Sequence, residues 1–127
     1  MTAPDLTFSC GWPDKALSSN ARGSFRKAQP AKKAAKIEAY FAACDALGTD
    51  DEGVKRRDGY RVKVTFYPPD NRKRDKFNMP SLIKSHVDGM AQALQRDDYH
   101  FDPEFAFGEV VKHGLVTFEV WVKGVSK

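Results

Sequence analysis

The segment Tyr60-Arg61-Val62-Lys63-Val64-Thr65-Phe66 constrains the fold more than any other part of the chain, because an apolar residue recurs at every second position. That is the period of a pleated strand with one face buried. A helix would scatter the same four apolar side chains around its circumference. The segment must therefore join a sheet, with Tyr60, Val62, Val64 and Phe66 turned inward and Arg61, Lys63 and Thr65 outward. Pro68-Pro69 ends it, since a proline cannot donate to the ladder.

The remaining periodicities supply partners for this strand. Leu6, Phe8 and Cys10 alternate with Thr7 and Ser9, predicting a short first strand that Trp12-Pro13 breaks. Ile37, Phe41, Cys44 and Leu47 have helical spacing and predict a helix from Pro30 to Leu47, with the proline in its first turn and Gly48 as its stop. A second helix is predicted from Asn78, with Pro80 early in it and the stripe Ile83, Val87, Met90, Leu94 facing the core. The runs Phe105–Lys112 and Leu115–Val122, joined by His113-Gly114, read as a hairpin. The order is β-α-β-α-β-β. It predicts an α+β fold, one domain over residues 1–127, with two helices on a mixed sheet. The 127 residues, 41% of them hydrophobic, suit one modest core and no more.

Several function classes drop out. Two cysteines, Cys10 and Cys44, make neither a disulfide framework nor a zinc ribbon, and both read as buried thiols. No basic leader precedes an apolar run and no eighteen-residue apolar stretch occurs, so a cytoplasmic protein without membrane contact is expected. There is no phosphate-cradling glycine loop and no nucleophile elbow. His86, His113 and His100 lie in no zinc motif, although His100 stands near enough to Asp98 to ligate or relay a proton.

Charge is segregated. Residues 15–36 hold seven cations and no acid, residues 54–76 hold nine cations against Asp58, Asp70 and Asp75, and residues 97–109 hold five acids without a lysine or arginine. Basic flanks around an acidic cluster suit a metal-dependent nuclease, the cations meeting phosphates and the carboxylates a metal. In the run from Asp70 to Asn78, Asp75 stands at the mouth of a helix among Arg72, Lys73, Arg74 and Lys76. Lys84 lies on that helix four residues before Asp88, in the spacing of an ordinary surface pair or of a group that stabilises charge at a phosphate. Asp97-Asp98 follow its end, and magnesium needs only one or two such carboxylates.

Together these residues resemble the RusA family of Holliday junction resolvases, especially its phage-encoded members. The segment GWPDKALSSNARGSFRKAQPAKKAAKIEAYFAA is similar to the family's proline-bearing loop, its L-S-x-N-A-R stretch and the following helix. VTFYPPDNRKRDKFNMPSLIKSHVDGMAQALQRDDYHF is similar to its signature, in which a basic run leads to D-x-D-N, a helix lysine precedes D-G, and D-D follows. Residues 105–122 fit its terminal strands. The resemblance implies a RusA-like fold and a homodimeric endodeoxyribonuclease that uses magnesium, or manganese in its place, to resolve four-way DNA junctions in recombination and repair by paired symmetric cuts. It places catalytic roles on Asp75, Lys84 and Asp98, metal binding on Asp75, Asp98 and Asp97, and DNA contacts on Arg72, Lys73, Arg74, Lys76 and Asn78, with Lys55, Arg56 and Arg57 as remoter contacts. It also implies a bacterial host cytoplasm if the chain is phage-encoded.

One position departs from the pattern. The second aspartate of D-x-D-N falls on Phe77, which cannot bind a cation, although Asn78 is kept. Asp102 is an alternative to Asp98 as the later ligand. A junction-binding relative that has lost the metal site is the competing expectation.

Overall fold

The computed structural model describes residues 2–17, 25–50 and 53–123. Its elements run β1 (Leu6–Gly11), α1 (Phe25–Leu47), β2 (Tyr60–Tyr67), α2 (Lys84–Leu94), β3 (Phe101–Phe107) and β4 (Leu115–Val122), with short 3-10 turns at Lys15–Leu17, Met79–Ile83 and Asp98–His100. The fold is α+β, one domain with two helices on a four-stranded mixed sheet of order β1-β4-β2-β3.

The alternation read from the sequence fixes which face is buried. Leu6 pairs with Val120 and Val120 with Val62; Phe8 with Phe118 and Phe118 with Val64; Cys10 with Val116 and Val116 with Phe66. All nine are buried, so three strands present one continuous apolar face to the helices. Phe8 and Phe118 stack at 4.8 Å between ring centroids, a preferred offset geometry for neighbouring rings on a pleated surface. The opposite face is polar. Ser9 and Thr117 share a hydrogen bond of 3.2 Å, and Arg61 lies 4.4 Å over the Trp121 ring. Lys63 has Glu119 and Glu104 as its register neighbours, so the basic outer face of β2 is interleaved with acids. Thr65, expected to face outward, is buried.

The hairpin expectation is overturned. β3 begins at Phe101, pairs parallel with β2, and makes no ladder with β4, which inserts antiparallel between β1 and β2. The reason lies in the connections. β2, α2 and β3 form a crossover unit whose strands must run parallel, and Pro103 suits β3 to the edge of the sheet. His113 (φ 70°) and Gly114 (φ 76°) do make a turn, but it feeds the chain back to the sheet centre.

Both helices also differ from expectation. α1 starts at Phe25, so Pro30 lies inside it rather than in its first turn. Its buried face is Ala35, Ala39, Ala43 and Leu47, whereas Ile37 and Phe41 are 46% and 64% exposed and Cys44 is only half-buried. Small residues win because α2 comes very close. A Cβ on Gly89 would stand 2.2 Å from the Lys36 carbonyl oxygen and 3.0 Å from the Tyr40 nitrogen. Residues 79–83 form a 3-10 turn, with Asn78 ahead of it making no side-chain cap, and the α-helix proper starts only at Lys84. Its buried side is Met90, Ala93 and Leu94 together with His86, and Ile83 packs into the core from the turn before it. The left-handed Gln95 (φ 59°) caps its end. The L-S-x-N-A-R stretch after Leu17, the side chains of Arg26 and Lys27, and Asp51-Glu52 lie outside the described residues.

Candidate nucleic-acid and metal site

α2 ends in a left-handed cap and the chain turns back through Asp97 into the 3-10 turn Asp98–His100, which returns Asp98 toward the first turn of the helix. There Lys84 donates to Asp98 and, at 2.8 Å, to Asp88 one turn along the helix. Two carboxylates therefore converge on one ammonium. Oxygens bonded to a common donor lie no more than about 6 Å apart, twice a hydrogen-bond length. The hydrogen bonds from Lys84 to Asp88 and then to Asp98 raise the lysine pKa, so it stays a cation and cannot serve as a proton acceptor near neutral pH.

These groups wall an open cleft of about 740 Å³ together with Asp97, Lys36, Arg96 and His100. Both members of the aspartate pair reach it, although adjacent side chains in an extended segment diverge. His100 is positioned by a 3.1 Å contact of its Nδ1 with the Asp58 carbonyl. Asp102 is elsewhere: it lies on β3 and pairs with Lys123 at 3.2 Å.

Asp75 is not part of the walls of this cleft. Its carboxylate accepts the Phe77 backbone N–H at 3.1 Å and its carbonyl accepts the Asn78 N–H at 3.0 Å, closing a turn on itself. Phe77 is 99% exposed. Asn78 accepts the Ser81 hydroxyl at 2.8 Å on its carbonyl oxygen.

The basic run builds a second cavity, at the C-terminal end of β2. Arg72, Lys73, Arg74 and Lys76 line it with Trp12, Phe66 and Phe107. Arg74 lies 5.4 Å over Trp12, Lys76 lies 5.1 Å over Phe107, and Asp70 holds Arg74 at 3.0 Å and Arg72 at 3.3 Å. The Arg72 backbone N–H and then the Arg74 side chain lower the Asp70 pKa, favouring the charged carboxylate that makes this clasp. Cations held over aromatic rings form a surface suited to phosphates. Trp12 and Phe107 carried no functional weight in the sequence, because their approach to residues 72–76 depends on the sheet order.

Lys55, Arg56 and Arg57 form no free basic loop. The Arg56 N–H donates to Leu94 O at 2.9 Å and its side chain to Gln95; Arg57 Nη1 donates to Gly53 O at 2.9 Å, and the Arg57 carbonyl accepts Arg96 Nε at 2.7 Å. Arg56 and Arg57 are tied to the end of α2 and the edge of the acidic cleft, whereas the Lys55 backbone N–H turns to the Asp50 carboxylate at 3.4 Å.

Sequence reasoning also passed over Cys10, Glu38 and His86, whose ligand atoms lie within 4.8 Å of one another. Positions 10, 38 and 86 form no spaced motif, and only the packing of β1, α1 and α2 brings them together. Among the described residues no helix is long and apolar enough to cross a membrane.

No protein-family model matches the chain. It is 35% identical over 113 residues to a curated protein of Xylella fastidiosa (strain Temecula1 / ATCC 700964) named "Uncharacterized protein"; the match covers 86% of this chain but 65% of that protein's length.

Proposed function

We propose that the chain is a magnesium-dependent endodeoxyribonuclease of RusA type that cuts four-way DNA junctions as a homodimer. The convergence of Asp88 and Asp98 on Lys84, in a cleft that Asp97 also lines, carries the reading. The donor set fits the ion: magnesium takes hard oxygen ligands, one or two of them protein carboxylates, and leaves the rest to water and phosphate. Asp98 and Asp97 are the ligands assigned here, with Asp88 beside them. When bound, the metal supplies charge neutralisation at the scissile phosphate and activation of water.

The chain's own groups do the remaining work. Lys84, held cationic, orients the two carboxylates and offers its ammonium to a phosphate oxygen as negative charge develops. The cation-bearing cavity of Arg72, Lys73, Arg74 and Lys76 holds backbone phosphate, with Trp12 and Phe107 beneath Arg74 and Lys76 as the rings that position those cations. A two-fold junction cut in pairs calls for a symmetric dimer with two such sites.

A second reading rests on a specific observation. Asp75 is engaged with its own turn, and fully exposed Phe77 stands where the resemblance expects a ligand, which favours a relative that binds junctions without cutting them. One experiment separates the two: incubation of the purified protein with a synthetic four-way junction in magnesium, beside Asp98→Asn, Asp75→Asn and a chelator control. Paired symmetric nicks abolished by chelator and by Asp98→Asn are the expected result. A junction shifted in a gel but never nicked, equally in chelator, would establish the binding protein instead.

A further inference from the structure

Beyond the acidic cleft, three donors of different chemistry meet where both helices pack on the sheet. Cys10 comes from β1, Glu38 from α1 and His86 from α2, and their thiol, carboxylate and ring-nitrogen atoms lie within 4.8 Å of one another. We propose that Cys10, Glu38 and His86 form a binding site for a borderline divalent transition ion of the zinc class, distinct from the magnesium cleft. A sulfur, nitrogen and oxygen donor set suits zinc or cobalt and does not suit magnesium, which wants oxygen alone.

The geometry is close to what such an ion requires. His86 Nε2 stands 4.0 Å from Glu38 Oε1. In a tetrahedral site with bonds of about 2.0–2.3 Å, neighbouring ligand atoms lie roughly 3.3–3.8 Å apart, so the cluster must contract by about 1 Å. Glu38 can supply that movement, being half-exposed and flexible. It is already oriented for the purpose: its Oε2 accepts the Gly11 N–H at 2.9 Å, leaving Oε1 toward His86. Its exposure also gives an ion a path from solvent.

A second observation points to a ligand. His86 is only 2% exposed; among the described residues its Nδ1 has no hydrogen-bond partner, and its Nε2 stands 4.0 Å from the Glu38 carboxylate, too far for a hydrogen bond to it. The Nε2 side of the ring faces a carboxylate beyond hydrogen-bond reach, which leaves room between them for an ion that both could ligate. Burial lowers the His86 pKa, which keeps the neutral ring that ligates. Burial, with Glu38 adding to it, pushes the Cys10 thiol up to about 12, so the free thiol is protonated at neutral pH and is no nucleophile. Ion binding replaces that proton, which leaves to solvent while the sulfur lone pair forms the metal bond.

The test is a titration of the chelator-stripped full chain with Co²⁺, read by absorption. The expected result is saturable one-to-one binding with a thiolate-to-cobalt charge-transfer band and intense tetrahedral d–d bands, displaced by Zn²⁺ and not by excess Mg²⁺. Cys10→Ser should abolish the charge-transfer band. Glu38→Gln keeps an acceptor for Gly11 and should weaken Co²⁺ binding at least by the roughly 10–100-fold that even a ligand-orienting partner is worth. Absence of saturable binding, or a charge-transfer band that survives Cys10→Ser, overturns the proposal. Should Cys10→Ser fail to fold, unchanged affinity in Glu38→Gln overturns it alone. These readouts do not depend on nuclease activity.

Discussion

Replacing Gly89 by alanine tests whether the close crossing of α1 and α2 is what the alanine stripe of α1 exists to permit. By propensity alone the change should help, since alanine is favoured over glycine inside a helix by about 1 kcal/mol. The packing says the opposite. The added Cβ would meet the Lys36 carbonyl oxygen at 2.2 Å, and both that atom and the Tyr40 nitrogen at 3.0 Å belong to helix backbone, which cannot rotate away. Restoring an ordinary contact needs a separation of roughly 1.2 Å between helices that are packed to crystal-like density. Overpacking costs typically about 1–3 kcal/mol, and a backbone clash belongs at the upper end. Set against the propensity gain, the net expectation is a loss of about 2 kcal/mol. For a domain of this length that lowers the melting temperature by roughly 7 °C. Thermal and urea denaturation followed by circular dichroism measure it. A Gly89→Ala protein as stable as the parent, or more stable, would refute the close-packing account, because only the propensity effect would then remain.

Other substitutions probe the remaining features. Lys84→Met should lower junction cleavage by about 10²–10³-fold, the size of one missing charge-stabilising donor, while gel-shift affinity changes far less. Tyr60 donates to Val54 O at 2.6 Å and accepts the Arg57 N–H at 3.0 Å, and burial raises its pKa above the ordinary 10. Its neutral form is thus favoured in the folded state. That stability is fully present below pH 10 and is lost as pH rises through the raised value; Tyr60→Phe should flatten this alkaline decline in urea titrations, at a cost near neutrality of about 1 kcal/mol. Neutralising Arg72, Lys73 and Lys76 together should make the salt dependence of DNA binding shallower, by about 0.9 for each phosphate of the duplex arms that these cations neutralise, measured by affinity across a salt series. An unchanged slope would remove the basic cavity from the interface.

What was legible in the sequence was whatever repeats locally. The inward faces of β1 and β2 follow from a two-residue alternation that only a half-buried strand satisfies, and the element order follows from where the period changes. Strand pairing was not legible, because nothing near residues 105–122 records that β4 pairs with β1, more than a hundred positions away, rather than with the strand before it. The face of α1 was misread for a different reason. Ile37 and Phe41 outrank alanine on any hydrophobicity scale, but the closeness of Gly89 selects side-chain size, so the buried stripe is Ala35, Ala39 and Ala43. In the candidate cleft, Lys84 and Asp98 were singled out only through the family resemblance; spacing alone left Lys84 open to an ordinary surface pairing and did not choose between Asp97 and Asp98. Asp88 looked like an ordinary surface pair, and only the return of the chain through Asp98–His100 makes it one of two acids on the same cation.

Both candidate sites hang on α2, and the helical period keeps them apart. Lys84 and Asp88, one turn apart, face the open cleft, whereas His86 and Met90, offset from them by two residues, face the sheet. Gly89 lies between these sets, at the point of closest approach to α1, the helix that carries Glu38. A shift of α2 away from α1 would therefore widen the distance between Glu38 and His86 and at the same time change where Lys84 and Asp88 stand relative to Asp98, which is anchored separately in its own turn. An ion joining Cys10, Glu38 and His86 would oppose that shift, since it ties α2 to both α1 and β1. The same helix crossing that explains the alanine stripe thus sets the geometry of both donor clusters, and disturbing it at residue 89 should reach each of them without replacing a single ligand.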